Sequence, residues 1–268
     1  MIKNLKYVYV SAFLSLSLTS CSEYQKVLKE DDVKKKYEMA EQLYNDGNYK
    51  KAIRLFDQIA PNYTGKPQGE RIFYFYANSY YQTGDYYLAA YQFKRFSTSY
   101  PRSEKAEESA YLGAKSEYFT SPRYSLDQTA TEGAINRLQM FINDYPDSEY
   151  LPEANEMMRE LRTKLEKKQF EIGKQYNTIG DYFASITSFE LFLKENPGSD
   201  YREDALFYKL TAEYNLAKNS IYSKREERIN NAMETYAALN TSFKDSKYQK
   251  DVTKMVAELQ QDLEIFSK

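Results

Sequence analysis

The chain has 268 residues, with 37 basic and 39 acidic side chains, and it contains no histidine and only one cysteine. Without histidine it lacks the commonest general base and the commonest zinc ligand, and its near-neutral charge offers no positive surface for nucleic acid. A hydrolase that works through two carboxylates would remain chemically open, but no acidic pair stands out from the pattern. We therefore predict a protein that is not an enzyme and that needs neither a metal nor a cofactor.

The first 20 residues are predicted to be a secretory signal peptide. Lys3 and Lys6 form a basic start, and residues 7–18 carry no charge. This apolar stretch is shorter than the roughly 20 residues that a membrane-spanning helix requires. Removal of the signal peptide would leave a chain with a net charge of −4, because two of the 37 basic residues go with it.

The sole cysteine, Cys21, is a predicted lipid attachment site. It follows Leu18, Thr19 and Ser20, an aliphatic residue and two small ones, and this arrangement resembles a bacterial lipobox. Cys21 also has no intrachain disulfide partner. Two or more acyl chains on one residue anchor a protein stably to a membrane. Because no aspartate follows the cysteine, the outer membrane is the expected destination, and residues 21–32 are predicted to be a lipidated linker.

A sequence pattern recurs three times in the chain, beginning at Gly47, Gly84 and Gly180. Each copy reads G-x-Y-x-x-(A/S)-x-x-x-F-x-x-(I/F), and a small residue lies on the helix predicted before it. These spacings are similar to those of the tetratricopeptide repeat, in which two antiparallel helices meet at a small residue and glycine occupies the turn. Because such a pair cannot bury its apolar face alone, neighbouring pairs are expected to stack into one continuous core.

Two further helix pairs depart from this pattern. In one of them a polar loop at 120–131 separates the first helix, around 111–119, from the second. In the other, a helix at 203–218 is followed by a stretched turn at 219–227. The predicted fold class is therefore all-α, a tetratricopeptide-repeat solenoid of about five helix pairs that forms one scaffold domain over 33–268.

The boundaries between repeats carry a second periodic signal. A serine stands just before a predicted helix at four places, and three of these serines follow a proline by two residues. These serines are predicted to be helix N-caps; they are Ser103, Ser148, Ser199 and Ser246. The last of these boundaries precedes apolar residues at helical spacing from Tyr248 to Phe266, which predicts a C-terminal capping helix.

Candidate binding residues lie on the inner face of the first helix of each pair, which lines the concave groove in repeat proteins of this kind. Exposed tyrosines beside arginine and asparagine would suit an extended peptide or one that ends in an aromatic residue. Simple packing of a solvated face is the alternative. In the first two repeats the candidates are Tyr37, Tyr44, Arg71, Tyr74, Asn78 and Tyr81.

Three segments resemble the BamD family of lipoproteins, in the version found in Bacteroidetes-type bacteria. They are Cys21-Ser-Glu-Tyr-Gln-Lys-Val-Leu-Lys, Ser121-Pro-Arg-Tyr-Ser-Leu-Asp-Gln and Phe141-Ile-Asn-Asp-Tyr-Pro-Asp-Ser-Glu. With the lipobox and the repeats, the resemblance covers essentially the whole chain. It singles out the residues of the long loop, which are Ser121, Pro122, Arg123, Tyr124, Asp127 and Gln128.

This resemblance implies a lipid-anchored, periplasm-facing scaffold of the outer-membrane β-barrel assembly machinery. Its amino-terminal repeats would recognise unfolded outer-membrane proteins through their aromatic-ended carboxy-terminal strands. Its carboxy-terminal repeats, from about Gly173 on, would dock on the periplasmic domains of the barrel component BamA, with other lipoproteins of the complex nearby.

Two other classes of protein remain as alternatives. One is a surface nutrient-binding lipoprotein of the SusD type, although this chain has neither the length nor the tryptophans expected for a glycan site. The other is a periplasmic repeat adaptor of the cell-envelope machinery. Such adaptors generally lack both the lipid anchor and the Ser-Pro-Arg-Tyr-Ser-Leu-Asp-Gln segment.

Overall fold

The computed structural model describes residues 23–266, and Cys21 and the predicted signal peptide lie outside this range. Within it, every regular element is a helix. The twelve helices are α1 (23–29), α2 (Val33–Asn45), α3 (Tyr49–Tyr63), α4 (Gly69–Gln82), α5 (Tyr86–Ser99), α6 (Ala106–Thr120), α7 (Thr129–Asp144), α8 (Leu151–Thr178), α9 (Tyr182–Glu195), α10 (Arg202–Lys218), α11 (Tyr222–Ser242) and α12 (Gln249–Leu263). From α2 on, these helices form five consecutive pairs followed by α12. The predicted all-α repeat fold is confirmed.

The repeated glycines occupy the turns inside three of the pairs. Gly47, Gly84 and Gly180 have φ angles of 75°, 77° and 82°. This left-handed conformation costs glycine little, because glycine has no Cβ to clash with the backbone. The aspartate after two of these glycines starts the second helix, since the Asp85 carboxylate accepts a hydrogen bond from the Leu88 amide and Asp181 accepts one from Ala184.

Small residues allow the two helices of a pair to approach closely. In the pair α8 and α9 the contact is closest at Gly173, where an added Cβ would lie 2.8 Å from Cζ of Phe189. The Ser185 hydroxyl donates a hydrogen bond of 3.0 Å to the Gly173 carbonyl. In the first two pairs the corresponding residues are alanines, and they are fully buried; examples are Ala40, Ala52, Ala77 and Ala89.

The four boundary serines do not cap the helices directly, so this prediction was displaced by two residues. The α6 helix begins at Ala106 with Lys105 as its N-cap, while the Ser103 hydroxyl accepts a hydrogen bond from the Lys105 amide. The same contact over two residues recurs at the other three serines. Each serine therefore stabilises the turn that leads into a helix, because its hydroxyl accepts a hydrogen bond from a backbone amide of that turn.

Two local predictions need correction. Residues 23–29, placed in a linker by the sequence, form α1, and its Tyr24 and Val27 are buried against the core of the first repeats. The turn predicted at 219–227 is much shorter, because α11 begins at Tyr222. The sequence from Tyr222 to Glu227 is polar and lacks apolar periodicity. It is helical because it extends a helix whose later turns are packed against the core.

The chain divides into two compact units where a single domain was predicted. Of the described residues, the first unit contains 23–121 together with Thr129–Met158, and the second contains Pro122–Gln128 and 159–266. The core of the first unit is rich in aromatic residues, with Phe56, Phe93 and Phe96 fully buried. In the second, one cluster centres on Phe170, Phe189 and Phe192, and another consists mainly of aliphatic residues of α10, α11 and α12.

Candidate protein-binding surfaces

The inner faces of α2 and α4 meet through three of the predicted binding residues. The Tyr44 ring stacks on Phe75 with their centroids 4.0 Å apart. Asn78 donates a hydrogen bond of 2.6 Å from Nδ2 to the Tyr44 hydroxyl. Arg71 forms an ion pair with Glu41 while its guanidinium lies 5.1 Å from the centroid of the Phe75 ring. The structure thus brings Tyr44, Arg71 and Asn78 together around one aromatic residue that the sequence did not single out.

Tyr74 is not the exposed side chain that the sequence predicted, since only 8% of its surface is accessible. Its ring lies edge-on to Phe96, with a centroid distance of 5.8 Å. Its hydroxyl donates a hydrogen bond of 2.7 Å to Glu108 Oε1 on α6. Lys105 pairs with the same carboxylate at 2.6 Å. The prediction of exposure fails because α6 covers this side of α4, which the sequence of α4 alone cannot show.

The two remaining candidates are half-buried. The Tyr37 ring lies 6.0 Å from that of Tyr63, and burial, together with the neighbouring Glu41 carboxylate, raises the pKa of the Tyr37 hydroxyl. Tyr81 on α4 packs edge-on to Tyr86 of the next helix, with a centroid distance of 5.7 Å. Both tyrosines therefore retain a partly exposed polar edge on an apolar base, which suits a contact surface.

Neighbouring first helices are linked by a series of polar contacts, which we call the inter-repeat ladder: Glu41–Arg71, Tyr44–Asn78, Tyr74–Glu108 and Tyr111–Glu153. In the last of these, the Tyr111 hydroxyl donates to Glu153, and Lys115 forms an ion pair with the same carboxylate at 2.7 Å. Tyr111 also stacks on Tyr150 with a centroid distance of 4.3 Å.

The sequence analysis missed the acidic half of this ladder, although the repeat period contains the signal. Tyr44 and Asn78 are 34 residues apart, and so are Tyr74 and Glu108. A tetratricopeptide repeat has a period of about 34 residues, so equivalent positions on adjacent first helices face each other. Moving one period along the chain from Tyr74 would have identified Glu108.

The ladder shifts the titration of its members. Hydrogen bonds from Lys115 and Tyr111 hold the pKa of the Glu153 carboxyl below its usual range. Burial, and then the hydrogen bond to Glu153, raise the pKa of Tyr111 to about 12. At neutral pH Glu108 and Glu153 are ionised carboxylates that accept hydrogen bonds from neutral tyrosines and charged lysines. Such bonds are stronger than hydrogen bonds between neutral groups.

The long loop belongs to the second unit from Pro122 to Gln128, and it is held by its own last residue. Gln128 is buried, and its Nε2 donates hydrogen bonds of 2.9 Å to the carbonyls of Arg123 and Leu126. Lys168 donates to the Leu126 carbonyl as well, at 2.5 Å. The Tyr124 ring lies 4.6 Å from Lys167 Nζ. Among the predicted loop residues, Gln128 therefore has a structural role, whereas Arg123 and Asp127 lie exposed.

The start of the loop is held by a hydrogen bond, whereas side chains near its end are exposed. Ser121, at the end of α6 in the first unit, shares a hydrogen bond of 2.7 Å between its hydroxyl and that of Thr131. Pro122 follows directly, and α6 ends before it, as expected for a residue that cannot continue a helix. Asp127 is exposed, and so is Leu126, with 49% of its surface accessible. Leu126 was not among the predicted site residues.

None of the helices in 23–266 combines the length and the apolar character that a membrane crossing requires. Across the same residues, no group of acidic or cysteine side chains is arranged to hold a metal ion. The candidate surfaces are the side of the first unit that carries the inter-repeat ladder, called the ladder face, the loop at 122–128, and the exposed side chains of the second unit.

Comparison with known proteins assigns the chain to a family. A family model described as an outer membrane lipoprotein, YfiO, matches residues 29–229. A similar protein is the outer membrane protein assembly factor BamD of Caulobacter vibrioides, which is 28% identical over 93 residues. That alignment covers 35% of this chain and 30% of the length of the relative. Because the family match runs from α1 into α11 and includes residues of both units, the chain belongs to the YfiO (BamD) family of outer membrane lipoproteins.

Proposed function

We propose that this protein is a lipid-anchored scaffold of outer-membrane β-barrel assembly, which recognises unfolded outer-membrane proteins and docks on BamA. The observation that carries the proposal is the family match over 29–229, which spans residues of both units. The BamD relative is named as an assembly factor. The scaffold would face the periplasm, with its lipid on Cys21.

The ladder face of the first unit supports a role in substrate recognition. It combines partly exposed aromatic rings, at Tyr37, Tyr44 and Tyr81, with charged groups at Arg71 and Lys105. Aromatic and arginine side chains are the residues that most often dominate the energy of a protein interface. The rings would contact the aromatic end of a barrel strand, and the cations would lie near its terminal carboxylate.

The exposed apolar side chains of the second unit support a role in docking. Between 60% and 71% of the surface of Ile179, Phe183, Ile221 and Tyr222 is accessible. Isolated exposed apolar residues are ordinary, but this unit has several of them near helix ends, where a partner domain could cover them. BamA and other lipoproteins of the complex would bind here.

Depletion and co-purification test the proposed function directly. We expect depletion of the protein to lower the amount of folded outer-membrane barrels, and we expect BamA to co-purify with the tagged protein. Barrel levels that do not change on depletion would refute the proposal. Co-purification of a polysaccharide transporter in place of BamA would refute it too and would favour the nutrient-binding alternative.

Substrate recognition is tested with peptides that correspond to the carboxy-terminal strands of barrels. We expect Tyr44→Ala combined with Tyr81→Ala to weaken peptide binding, measured by fluorescence anisotropy. Tyr74→Ala is a poor choice, because it would remove a buried ring and destabilise the first unit. Tyr87→Ala is the matched control, since Tyr87 is 77% exposed and lies on α5, the second helix of its pair. Equal affinity of the double variant and the control would exclude the ladder face.

Lipidation is tested separately. We expect Cys21→Ser to move the protein from the membrane fraction to the soluble fraction, because the acyl chains supply the membrane affinity. Mass spectrometry of the amino-terminal peptide should show a diacylglycerol on Cys21. An unmodified cysteine would disprove the anchor without affecting the other two tests.

A further inference from the structure

The second unit contains a cavity of about 420 Å³ between α9, α10 and α11. Apolar side chains of Phe183, Ile186 and Leu216 line part of it. The rest is charged, and its most buried member is Glu213 on α10. The cavity is lined only by residues of the second unit, and no residue of the ladder lines it, so the proposed recognition of substrates does not use it.

Glu213 has one carboxylate oxygen without a hydrogen-bond partner. The residue is only 4% exposed. Its Oε1 forms an ion pair of 2.9 Å with Lys209, whereas its Oε2 is buried and accepts no hydrogen bond. A buried acceptor without a donor is unfavourable and uncommon in folded proteins. An incoming donor that reached this oxygen would satisfy it.

The basic groups of the cavity already have partners. Lys209 contacts Glu190 at 3.4 Å and donates to the Thr235 hydroxyl at 3.0 Å, in addition to its pair with Glu213. Lys224 pairs with Glu227 at 3.2 Å. Arg228 donates to the Ser220 hydroxyl. Two of the three cations are thus paired with carboxylates, and Arg228 alone has a neutral partner.

The remaining charge of the lining is negative. Four glutamates line the cavity against two lysines and one arginine, and Glu234 forms no ion pair within the described part of the chain. At the rim, Phe183 is 60% exposed, and the Arg228 guanidinium lies 5.0 Å from the centroid of its ring. A ligand that suits this lining combines a cationic hydrogen-bond donor with an apolar stem.

We propose that this cavity binds an arginine side chain presented by a partner polypeptide. The guanidinium would donate to the free Oε2 of Glu213, and its alkyl stem would lie on Ile186 and Leu216. Arginine fits better than lysine, because its planar group carries five donors and packs on aromatic rings, as the chain's own Arg228 does on Phe183 at the rim. The volume accommodates the side chain, and arginine is enriched at protein interfaces. The proposal concerns the chemistry of the contact, and it holds for any partner that presents this residue.

Methyl NMR with matched peptides tests the proposal. The chain from residue 21 on, with Cys21→Ser, is labelled at isoleucine and leucine methyl groups, and Ile186 and Leu216 report on the cavity. It is titrated with Ac-Gly-Arg-Gly-NH2 and with the same peptide carrying citrulline, which keeps the shape but loses the charge. We expect saturable shifts with the arginine peptide and at least about tenfold weaker binding of the citrulline peptide, because charged hydrogen bonds are the stronger ones.

Two variants and a control complete the design. We expect Glu213→Gln to weaken arginine binding about tenfold, and Phe183→Ala to weaken it severalfold without affecting folding, because that ring is largely exposed. Glu227→Gln is the control, since Glu227 is exposed and already paired with Lys224. Any one of four results would overturn the proposal. The first two are the absence of a saturable shift and equal binding of the arginine and citrulline peptides. The other two are tighter binding of Ac-Gly-Glu-Gly-NH2 and undiminished arginine binding by both Glu213→Gln and Phe183→Ala.

Discussion

In the first unit, phenylalanine and tyrosine fill the space between helices, whereas in the second unit many large apolar side chains stay exposed. The first unit buries Phe56, Phe93 and Phe96 completely, and Tyr76 and Tyr80 nearly so. The exposed large apolar residues of the second unit are Leu126, Ile172, Ile179, Phe183, Leu191, Ile221, Tyr222 and Ile265. In the first unit they are Tyr87, Tyr91, Phe119 and Met140.

The polar groups of the two units share one kind of contact and differ at one carboxylate. In the first unit the Tyr74 hydroxyl donates to Glu108 on the adjacent first helix, and in the second unit the Tyr214 hydroxyl donates to Glu258 on α12. Glu213 of the second unit, in contrast, is buried with one carboxylate oxygen that accepts no hydrogen bond. The same repeat can therefore satisfy its carboxylates between neighbouring helices or leave an acceptor for a partner, and the choice depends on a few side chains.

The largest expected effect comes from removing one central ring in each unit. We expect Phe93→Ala and Phe189→Ala each to lower the free energy of unfolding by about 3–5 kcal/mol, because each leaves a cavity in a fully buried site. Hydrogen exchange measured by mass spectrometry should show the greater loss of protection in the unit that carries the substitution. Equal loss throughout both units would contradict the division into two compact units.

A smaller loss is expected where the helices of the second unit cross. Gly173→Ala would place a Cβ against the Phe189 ring, and overpacking of this kind costs about 1–3 kcal/mol. Gly133→Ala on α7 of the first unit is the matched control, because nothing lies within 4 Å of the added Cβ. Since alanine favours helix, we expect this control to stabilise the protein by about 0.5–1 kcal/mol in urea unfolding. If both variants were equally stable, the close crossing at Gly173 would be unimportant.

The ladder is tested by Tyr74→Phe, which removes only the hydroxyl. We expect the free energy of unfolding, measured in urea, to fall by about 1.5 kcal/mol, as is typical of a hydrogen bond to a charged acceptor. Glu108→Gln should cost less in the Tyr74→Phe background than it does alone, because only its contact with Lys105 is then left to lose. Tyr87→Phe, at an exposed position, should change stability by less than about 0.5 kcal/mol. Fully additive losses in the double variant would mean that the Tyr74–Glu108 contact contributes nothing to the ladder.

The smallest effect is a dependence on pH. Burial raises the pKa of the Glu108 carboxyl, but hydrogen bonds from Lys105 and Tyr74 outweigh it and leave the pKa below its usual value. A carboxyl with a lowered pKa stabilises the fold above its unfolded pKa of about 4.3, and this contribution is lost as the pH falls through the folded pKa. We therefore expect the stability difference between the protein and Glu108→Gln to shrink between pH 6 and pH 3. A difference that grows in acid would have the wrong sign.

Local signals in the sequence determined the helices and their pairing. Gly47, Gly84 and Gly180 repeat with their tyrosine and phenylalanine partners, and the left-handed turns that they form depend on the glycine itself. The spacing of apolar residues likewise defined the C-terminal helix, whose Val252, Val256 and Leu259 are buried. Such features depend on residues a few positions apart, so the chain specifies them locally.

Burial and partnership were decided by tertiary structure. Tyr74 and Tyr81 lie on the same predicted face of α4, yet α6 covers Tyr74 and leaves Tyr81 half-exposed. The charge pattern of α10 alone does not reveal that Glu213 is buried with one oxygen unsatisfied, because α9 and α11 supply the surroundings. These properties depend on side chains one repeat or more away in the chain, and only the packing of neighbouring helices brings them together.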